Sequence, residues 1–440
     1  MNILIQKLLD LITRGSKICI DSRKAERGSI FFAIKGENFD GNRFAADALL
    51  AGCSLAIIDD PTINKDDRYI LVDHAESFLQ EVATAYRNQF TFPFLGITGT
   101  NGKTTTKELC QAVLSRKFNS YATEGNLNNH IGVPVTILSL KHEHEIAVIE
   151  MGANHVGEIA VLSEIAGPTL GLITNIGKAH LEGFGSVDNI ETAKTELYRF
   201  VQKQTGTLFV NGDDARMIKY AAYPNAVVYG KKNDFHCSGT VTKHTPYLEV
   251  SFQTNKPFGT SNEKVSGTVR TKLTGSYNFG NVMAAITTGL YFGVSREEII
   301  RAIGTYTPTN NRSQIIHTKY NTLLMDAYNA NPTSMAAALE NFSLIDNNPK
   351  AVLLGDMLEL GDDAVSEHRQ IVTMLDQYPS WIKVLVGRNF QSVASGKKGI
   401  ITFPDVSEAA QWLKDQPVSG HHILIKGSRG IQMEQLQKHL

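Results

Sequence analysis

Apolar positions along the chain switch between two spacings, and the switches divide it into three stretches. In the first, β-rich runs at 17–20 and 29–33 are interleaved with helical patterns at 43–51 and 76–89, and the stretch closes at Thr91-Phe-Pro93. From Phe94 a strand, a glycine loop and a helix follow in turn. Continuous apolar runs at 146–149, 170–173 and 207–210 then predict parallel strands, because strands covered on both faces lose the alternation of half-exposed ones. Between about 241 and 271 the residues become polar and alternating, as in Tyr247-Leu-Glu-Val-Ser-Phe252, which predicts an antiparallel extension before a helix opens near Asn278. Beyond a boundary near 306–311, apolar runs at 322–325, 351–354, 384–386 and 423–425 alternate with helical segments, a doubly wound pattern. No G-x-G-x-x-G follows any of these strands, which weakens a dinucleotide reading of the last stretch.

A chain of 440 residues has room for about three domains, each able to bury its own core. The expected fold is α/β throughout, with a small N-terminal α/β domain at 1–91, a central α/β domain at 92–309 and a C-terminal Rossmann-like α/β domain at 310–440. With 43 basic against 44 acidic side chains, neither disorder nor a nucleic-acid partner is favoured. The opening Met1-Asn-Ile-Leu-Ile-Gln-Lys-Leu-Leu-Asp10 reads as a short amphipathic helix interrupted by Lys7 and Asp10, and no membrane span is expected; the expected location is the cytoplasm. Cys19, Cys53, Cys110 and Cys237 form no C-x-x-C pair and read as reduced, packed thiols.

Strand 94–97 runs into Thr98-Gly-Thr-Asn-Gly-Lys-Thr-Thr105 and then a helix, the arrangement in which backbone N–H groups and a helix N-terminus wrap phosphates. Gly99 and Gly102 permit close approach, with Thr100, Asn101 and Thr105 completing the loop. Lys103 is expected on the β- and γ-phosphates of a nucleotide and the Thr104 hydroxyl on Mg²⁺. The loop departs from the strict G-x-x-x-x-G-K-T spacing, since Ile97 stands where the first Gly belongs. Together these features predict a central domain of the P-loop ATPase kind. The run 146–149 ends in Glu150-Met-Gly-Ala-Asn154, placing a carboxylate at the C-terminal end of a strand, where α/β sheets hold ligands. Glu150 is the first candidate carboxylate for Mg²⁺. His180, in Ile173-Thr-Asn-Ile-Gly-Lys-Ala-His180, is similarly placed and can hold a second metal or orient substrate. Each feature alone has a plainer reading: a glycine turn capping a helix, a solvated loop carboxylate, a structural histidine. Lys141-His-Glu-His-Glu145 and His421-His422 read as a solvated turn and a strand start.

In order and in wording, the G-T-N-G-K-T-T loop, the E-M-G-A-N turn, the T-N-I-G-K-A-H segment and Glu191-Thr-Ala-Lys-Thr-Glu196 resemble the Mur ligase family, and the resemblance spans nearly the whole chain. It implies an ATP-dependent, ADP-forming ligase of peptidoglycan synthesis that joins a carboxylate to an amine. In that family the lysine matching Lys194 is carbamylated and helps hold Mg²⁺; two ions are implied, on Thr104, Glu150, His180 and Lys194. Three segments look like the members that take D-alanyl-D-alanine as the amine and a UDP-N-acetylmuramoyl-tripeptide as the acid. They are Asp326-Ala-Tyr-Asn-Ala-Asn-Pro-Thr-Ser334, Leu354-Gly-Asp-Met-Leu-Glu-Leu-Gly361 with His368, and Ile425-Lys-Gly-Ser-Arg-Gly430. By this resemblance Asn278 and Asn281 lie by the adenine, Asp326 by the ribose and Arg312 by the phosphates. Asp21, Ser22, Arg23, Lys35 and Gly36 hold the UDP end, Asn126, Asn128 and Asn129 border the muramoyl peptide, and Tyr328, Asn329, Asn331, Ser428 and Arg429 meet the dipeptide. Lys103, Lys194, His180 and Arg312 are the implied catalytic set. Tyr277, Asn311 and Asn42 depart from the family's usual His, Gly and His.

Attack of a carboxylate on the γ-phosphate gives an acyl phosphate, whose phosphate is a far better leaving group than oxide; the amine then displaces it. With the site split between the second and third domains, closure would exclude water, and an open form is expected. A monomer is expected. Rival readings are a sibling ligase adding an L-amino acid or diaminopimelate, and a non-catalytic nucleotide-binding module.

Overall fold

The computed structural model describes residues 3–36, 39–260, 264–309, 311–345 and 349–440. Three main sheets succeed one another along the chain, and no strand is shared between them. The first is parallel, in the order Ile18–Cys19, Ile30–Phe32, Leu55–Ile58, Tyr69–Leu71. Helices Ile3–Thr13 and Ala75–Arg87 cover one face through Leu8, Leu9, Leu79 and Val82, while Ala45–Leu50 covers the other. The expected N-terminal helix is therefore present from Ile3; Met1 and Asn2 lie outside the described residues. The helical pattern at 43–51 divides, because Asp40 accepts from the Asn42 N–H and starts a 3₁₀ turn, Gly41–Phe44, ahead of the α-helix.

The central sheet has nine strands, ordered Ser266–Arg270, Glu249–Thr254, Cys237–Lys243, Ala226–Gly230, Thr207–Asn211, Leu170–Ile173, Phe94–Thr98, Ile146–Glu150, Ser120–Ala122. Its inner pairs are parallel and the last two at the Ser266 edge antiparallel, as the alternating pattern of that segment predicts. Helices Lys103–Leu114 and Phe279–Tyr291 pack on one face. The second of these is apolar nearly all round and is buried on nearly every side, as such a helix must be.

The third sheet runs Gln314–His317, Thr322–Asp326, His422–Lys426, Lys350–Gly355, Ile382–Val386, Ile401–Phe403, parallel except for the first strand. It faces the central sheet so that the C-terminal ends of Phe94–Thr98 and Ile146–Glu150 oppose those of Thr322–Asp326 and His422–Lys426 across one cleft. Instead of the open form that splitting the site leads one to expect, the arrangement is closed: Asn331 Nδ2 donates to Asn101 Oδ1 at 2.8 Å and Lys178 Nζ to Glu367 Oε1 at 2.6 Å. The first and central sheets are clasped by Arg87, which donates to the carbonyls of Ala166, Gly167 and Phe90 and lies 3.5 Å over the Phe94 ring. Burial pushes its guanidinium down to about 10. Among the described residues no helix is long and apolar enough to cross a membrane.

Candidate functional site

Strand Phe94–Thr98 delivers the loop into helix Lys103–Leu114, and two glycines make its path possible. Gly99 has φ +140° and Gly102 φ +77°; a Cβ at Gly99 would come 2.0 Å from Thr174 Oγ1, and one at Gly102 would come 2.5 Å from Asn281 Oδ1. Lys103 Nζ folds back over the loop and donates to the carbonyls of Gly99 (2.9 Å) and Thr100 (3.1 Å). Burial lowers its pKa, Glu150 opposes that shift and Arg312 adds to it. An anion bound in the loop would supply the charge this ammonium lacks.

Glu150 closes strand Ile146–Glu150 and is 1% exposed. One carboxylate oxygen accepts from Thr104 Oγ1 (3.1 Å) and Asn128 Nδ2 (2.8 Å); the other, Oε2, is buried with no hydrogen-bond partner. A buried carboxylate oxygen left bare beside a threonine hydroxyl and a phosphate loop fits a hard cation. Mg²⁺ takes only one or two protein oxygens when phosphates and water complete its shell, so no cluster of three acidic or imidazole ligands is needed, and the described residues contain none.

Across the cleft, Arg312 lies 3.6 Å over the Tyr328 ring, with its Nε buried and unpartnered. Asp326 ends its strand, where Oδ2 accepts from Lys426 Nζ at 2.7 Å and Oδ1 from the Ser313 N–H at 3.1 Å. Asn331 caps helix Pro332–Ser343 while reaching Asn101 of the phosphate loop.

The Mur ligase middle domain matches residues 97–289, the Mur ligase glutamate ligase domain 311–429, and the Mur ligase family catalytic domain 16–87. The UDP-N-acetylmuramoyl-tripeptide--D-alanyl-D-alanine ligase of Bacillus subtilis is 33% identical over 96% of this chain and 92% of its own length. That of Escherichia coli is 31% identical over 100% and 98%. The chain belongs to the Mur ligase family. In three dimensions this Mur ligase is similar to a crystal structure of MurF from Acinetobacter baumannii, with TM-score 0.84, 34% identity, and 98% and 97% of the two chains covered. It is equally similar to MurF ligase from Thermotoga maritima in complex with ADP, with TM-score 0.84 and 26% identity over 98% and 97%.

The cleft of this Mur ligase gathers many of the residues its sequence singles out. Thr100, Asn101, Gly102, Lys103, Thr104 and Thr105 line it together with Glu150 and His180. Asn126, Asn128 and Asn129 border it, as do Asn278, Asn281, Arg312, Asp326, Tyr328, Asn329 and Asn331. Lys194 stands behind this lining, 2% exposed, with Nζ donating to Ala153 O at 3.1 Å and 5.1 Å from the Phe184 ring centre. Burial, with Lys103 nearby, holds its amine well below the usual lysine range.

Others are placed elsewhere. The UDP-end candidates do not line the cleft: Arg23 makes a two-point pair with Asp21, and Lys35 pairs with Asp59 at 2.8 Å. Ser428 is buried outside the cleft lining, accepting from the Leu358 N–H and donating to the Ala330 carbonyl, so its hydroxyl ties two loops together. Arg429 lies outside the cleft lining, 5.3 Å from the Tyr328 ring centre, and donates to Tyr328 Oη at 3.3 Å. Asn129 Oδ1 accepts from the Gly132 N–H at the start of helix Gly132–Leu138. The three departures also have local accounts. Asn311 has φ +57°, a conformation easiest for Gly and tolerated by Asn. Tyr277 Oη meets Ser313 Oγ at 3.0 Å, and Asn42 Nδ2 bridges Asp40 and Asp59.

Sequence reading missed Lys426, Glu359, Glu367 and Asn175. Asn175 holds the phosphate loop, its carbonyl accepting from the Thr100 N–H and its Oδ1 from the Asn101 N–H. Asn175, Glu359 and Lys426 all lie inside segments quoted for the family resemblance, so position in a recognised segment was the available signal.

Proposed function

We propose that this Mur ligase joins D-alanyl-D-alanine to UDP-N-acetylmuramoyl-tripeptide, converting ATP to ADP and phosphate. The observation that carries the reading is the bare Glu150 oxygen beside the phosphate loop, faced across a closed cleft by Arg312 and Asp326. The tripeptide carboxylate attacks the γ-phosphorus, ADP leaves, and an acyl phosphate forms; the dipeptide amine then displaces phosphate as an amide bond is made and a proton is lost. Lys103, freed from its loop carbonyls, and Arg312 hold the γ-phosphoryl oxygens in line with the incoming carboxylate. Asn278 and Asn281 border the adenine, Asp326 the ribose, and Asn331 closes the phosphate loop against water while Thr333 accepts from the Lys178 N–H beside it. Two Mg²⁺ ions, held by Thr104, Glu150, His180 and Lys194, would neutralise phosphate charge when bound.

Carbamylation of Lys194 belongs to the same reading. Reaction of its neutral amine with CO₂ gives a carbamate and a proton, and burial already favours the neutral amine. The product replaces repulsion between Lys194 and Lys103 by attraction. Residues 1–91 are assigned to the UDP end, 92–309 to ATP and 310–440 to the dipeptide, in a cytoplasmic monomer.

The test is ADP release with both substrates. ADP that appears only when UDP-N-acetylmuramoyl-tripeptide and D-alanyl-D-alanine are both present supports the reading. Dependence on an L-amino acid or diaminopimelate instead makes the chain a sibling ligase, and no ADP with any amine makes it a nucleotide-binding module.

A further inference from the structure

Two turns from different sheets meet beside the cleft. The segment after strand Leu170–Ile173 carries Lys178 and His180; the segment after strand Lys350–Gly355 carries Glu359, and helix Ala364–Leu375 carries Glu367. The buried His180 Nδ1 lies against the Glu359 carboxylate as an ion-pair contact, without the alignment of a hydrogen bond, and Lys178 Nζ donates to Glu367 Oε1 at 2.6 Å. The backbones touch as well, the Glu182 N–H donating to the Glu359 carbonyl at 3.2 Å. A Cβ on Gly361 would sit 3.4 Å from the Glu182 Cα. Both ends of the pair hold left-handed backbone, φ +49° at His180 and φ +61° at Glu359, which non-glycine residues adopt rarely and keep only when their surroundings fix it.

This segment is also bonded to the phosphate loop. The Thr100 N–H donates to Asn175 O at 2.9 Å, and the Gly177 N–H to Thr100 Oγ1 at 3.0 Å. It therefore lies between the phosphate loop and the third sheet, touching both.

We infer that Glu359 is a positioning residue for the proposed reaction: reaching over from the third sheet, it fixes the ring of His180, so His180 is set for the cleft only when the third domain is closed. The inference rests on the reaction proposed above. A carboxylate held against Nδ1 favours the tautomer that carries its hydrogen there, and Nε2 then keeps its lone pair for a ligand. The Glu359 side chain is 54% exposed, so the pair adds little to stability. Its consequence falls on the direction of the ring. Lys178 and Glu367 supply a second contact between the domains that leaves the His180 partner in place.

Glu359→Ala, Glu359→Gln and Lys178→Ala separate these roles. The readouts are kcat and the KM for ATP in ADP release, together with ¹⁵N signals of His180 in histidine-labelled protein with ADP, assigned by their loss in His180→Gln. Glu359→Ala is expected to lower kcat about tenfold or more with the KM for ATP nearly unchanged, and to turn a single Nδ1–H tautomer into a mixture. Glu359→Gln keeps an oxygen that accepts the same hydrogen and is expected to retain most of kcat and the tautomer. Lys178→Ala is expected to leave the His180 signals unchanged. Wild-type kcat and an unchanged His180 spectrum in Glu359→Ala would overturn the inference, as would equal loss in Gln and Ala with no spectral change. A wild-type chain that releases no ADP defeats the proposed reaction, and the spectrum alone then decides whether Glu359 fixes the ring.

Discussion

Lys426 lets a magnitude be worked from the geometry. Its side chain is 3% exposed and donates to Asp326 Oδ2 at 2.7 Å and to the carbonyl of Asn329 at 3.2 Å. Lys426→Met keeps much of the volume and removes the cation. Removing one partner of a buried ion pair costs about 3–5 kcal/mol, because the remaining charge stays desolvated. Asp326 is 17% exposed and keeps the Ser313 N–H at 3.1 Å, so the lower end, about 3 kcal/mol, is expected here. For a domain of this size that lowers the melting temperature of the third domain by roughly 10 °C. Adding Asp326→Asn to Lys426→Met removes the stranded charge and should recover more than half of the loss, since a neutral amide is far cheaper to bury unpaired. Activity should not recover in the double variant, because an amide whose oxygen accepts the Ser313 N–H presents a donor where the carboxylate proposed to border the ribose has its second acceptor. Calorimetry of the four proteins reads out the cycle. A double variant as unstable as Lys426→Met would show that lost packing, not stranded charge, is the cause.

Arg87→Ala strips a donor from three carbonyls at the first interdomain junction, and should cost about 2–4 kcal/mol even after relief of the buried charge, seen as a lower urea midpoint. Lys103→Ala should abolish ADP release while circular dichroism and melting stay near wild type; turnover in that variant would contradict the phosphate-loop assignment. Lys194→Arg and Lys194→Ala should both be inactive, with acetate partly restoring the Ala variant; an active Arg variant means that the cation itself is used. The unmodified Lys194 also has a pH signature. Its folded pKa lies below the ordinary 10.5, so as pH falls from there the unfolded chain takes up the proton first and the folded state loses stability. In CO₂-free buffer Lys194→Met should therefore melt higher than wild type near pH 8, and the gap should shrink as pH rises toward 10.5; a gap independent of pH would refute the burial of an unmodified amine.

The apolar run at 170–173 is the strand Leu170–Ile173, and the other central runs lie within a residue of their strands, because parallel strands buried on both faces leave no polar position to confuse the pattern. Ser120–Ala122, Ile401–Phe403 and Gln314–His317 went unread, and so did the buried inner strands Leu55–Ile58 and Ala226–Gly230. The first three are edge strands of three or four residues with half-exposed positions, too short and too mixed for a period to show. Within the site, the phosphate loop and Glu150 were readable because one strand and one turn position them. Partners such as Lys426 for Asp326 were not, since 100 residues separate the two and only the parallel pairing of their strands brings them together.

The same distinction explains why the crowded charges of the cleft do not show in the composition of the chain. Overall charge is nearly balanced, yet buried charges crowd together in the site: Lys103 lies near Arg312 and near Glu150, which offers a bare oxygen, and Lys194 lies near Lys103, Glu158 and Glu196. Lys103 and Lys194 are each destabilised as ammonium ions by burial, and each is disfavoured further by a neighbouring cation: Arg312 for Lys103, Lys103 for Lys194. A fold that only needed stability would have no use for such convergence, since apolar residues of similar volume pack there at lower cost. It becomes favourable when a polyanion enters, because phosphate charge then meets fixed cations that need no rearrangement of solvent. The strain is local to the two strand ends and one helix start, which is why composition averaged over the chain conceals it and the spacing of a few residues reveals it.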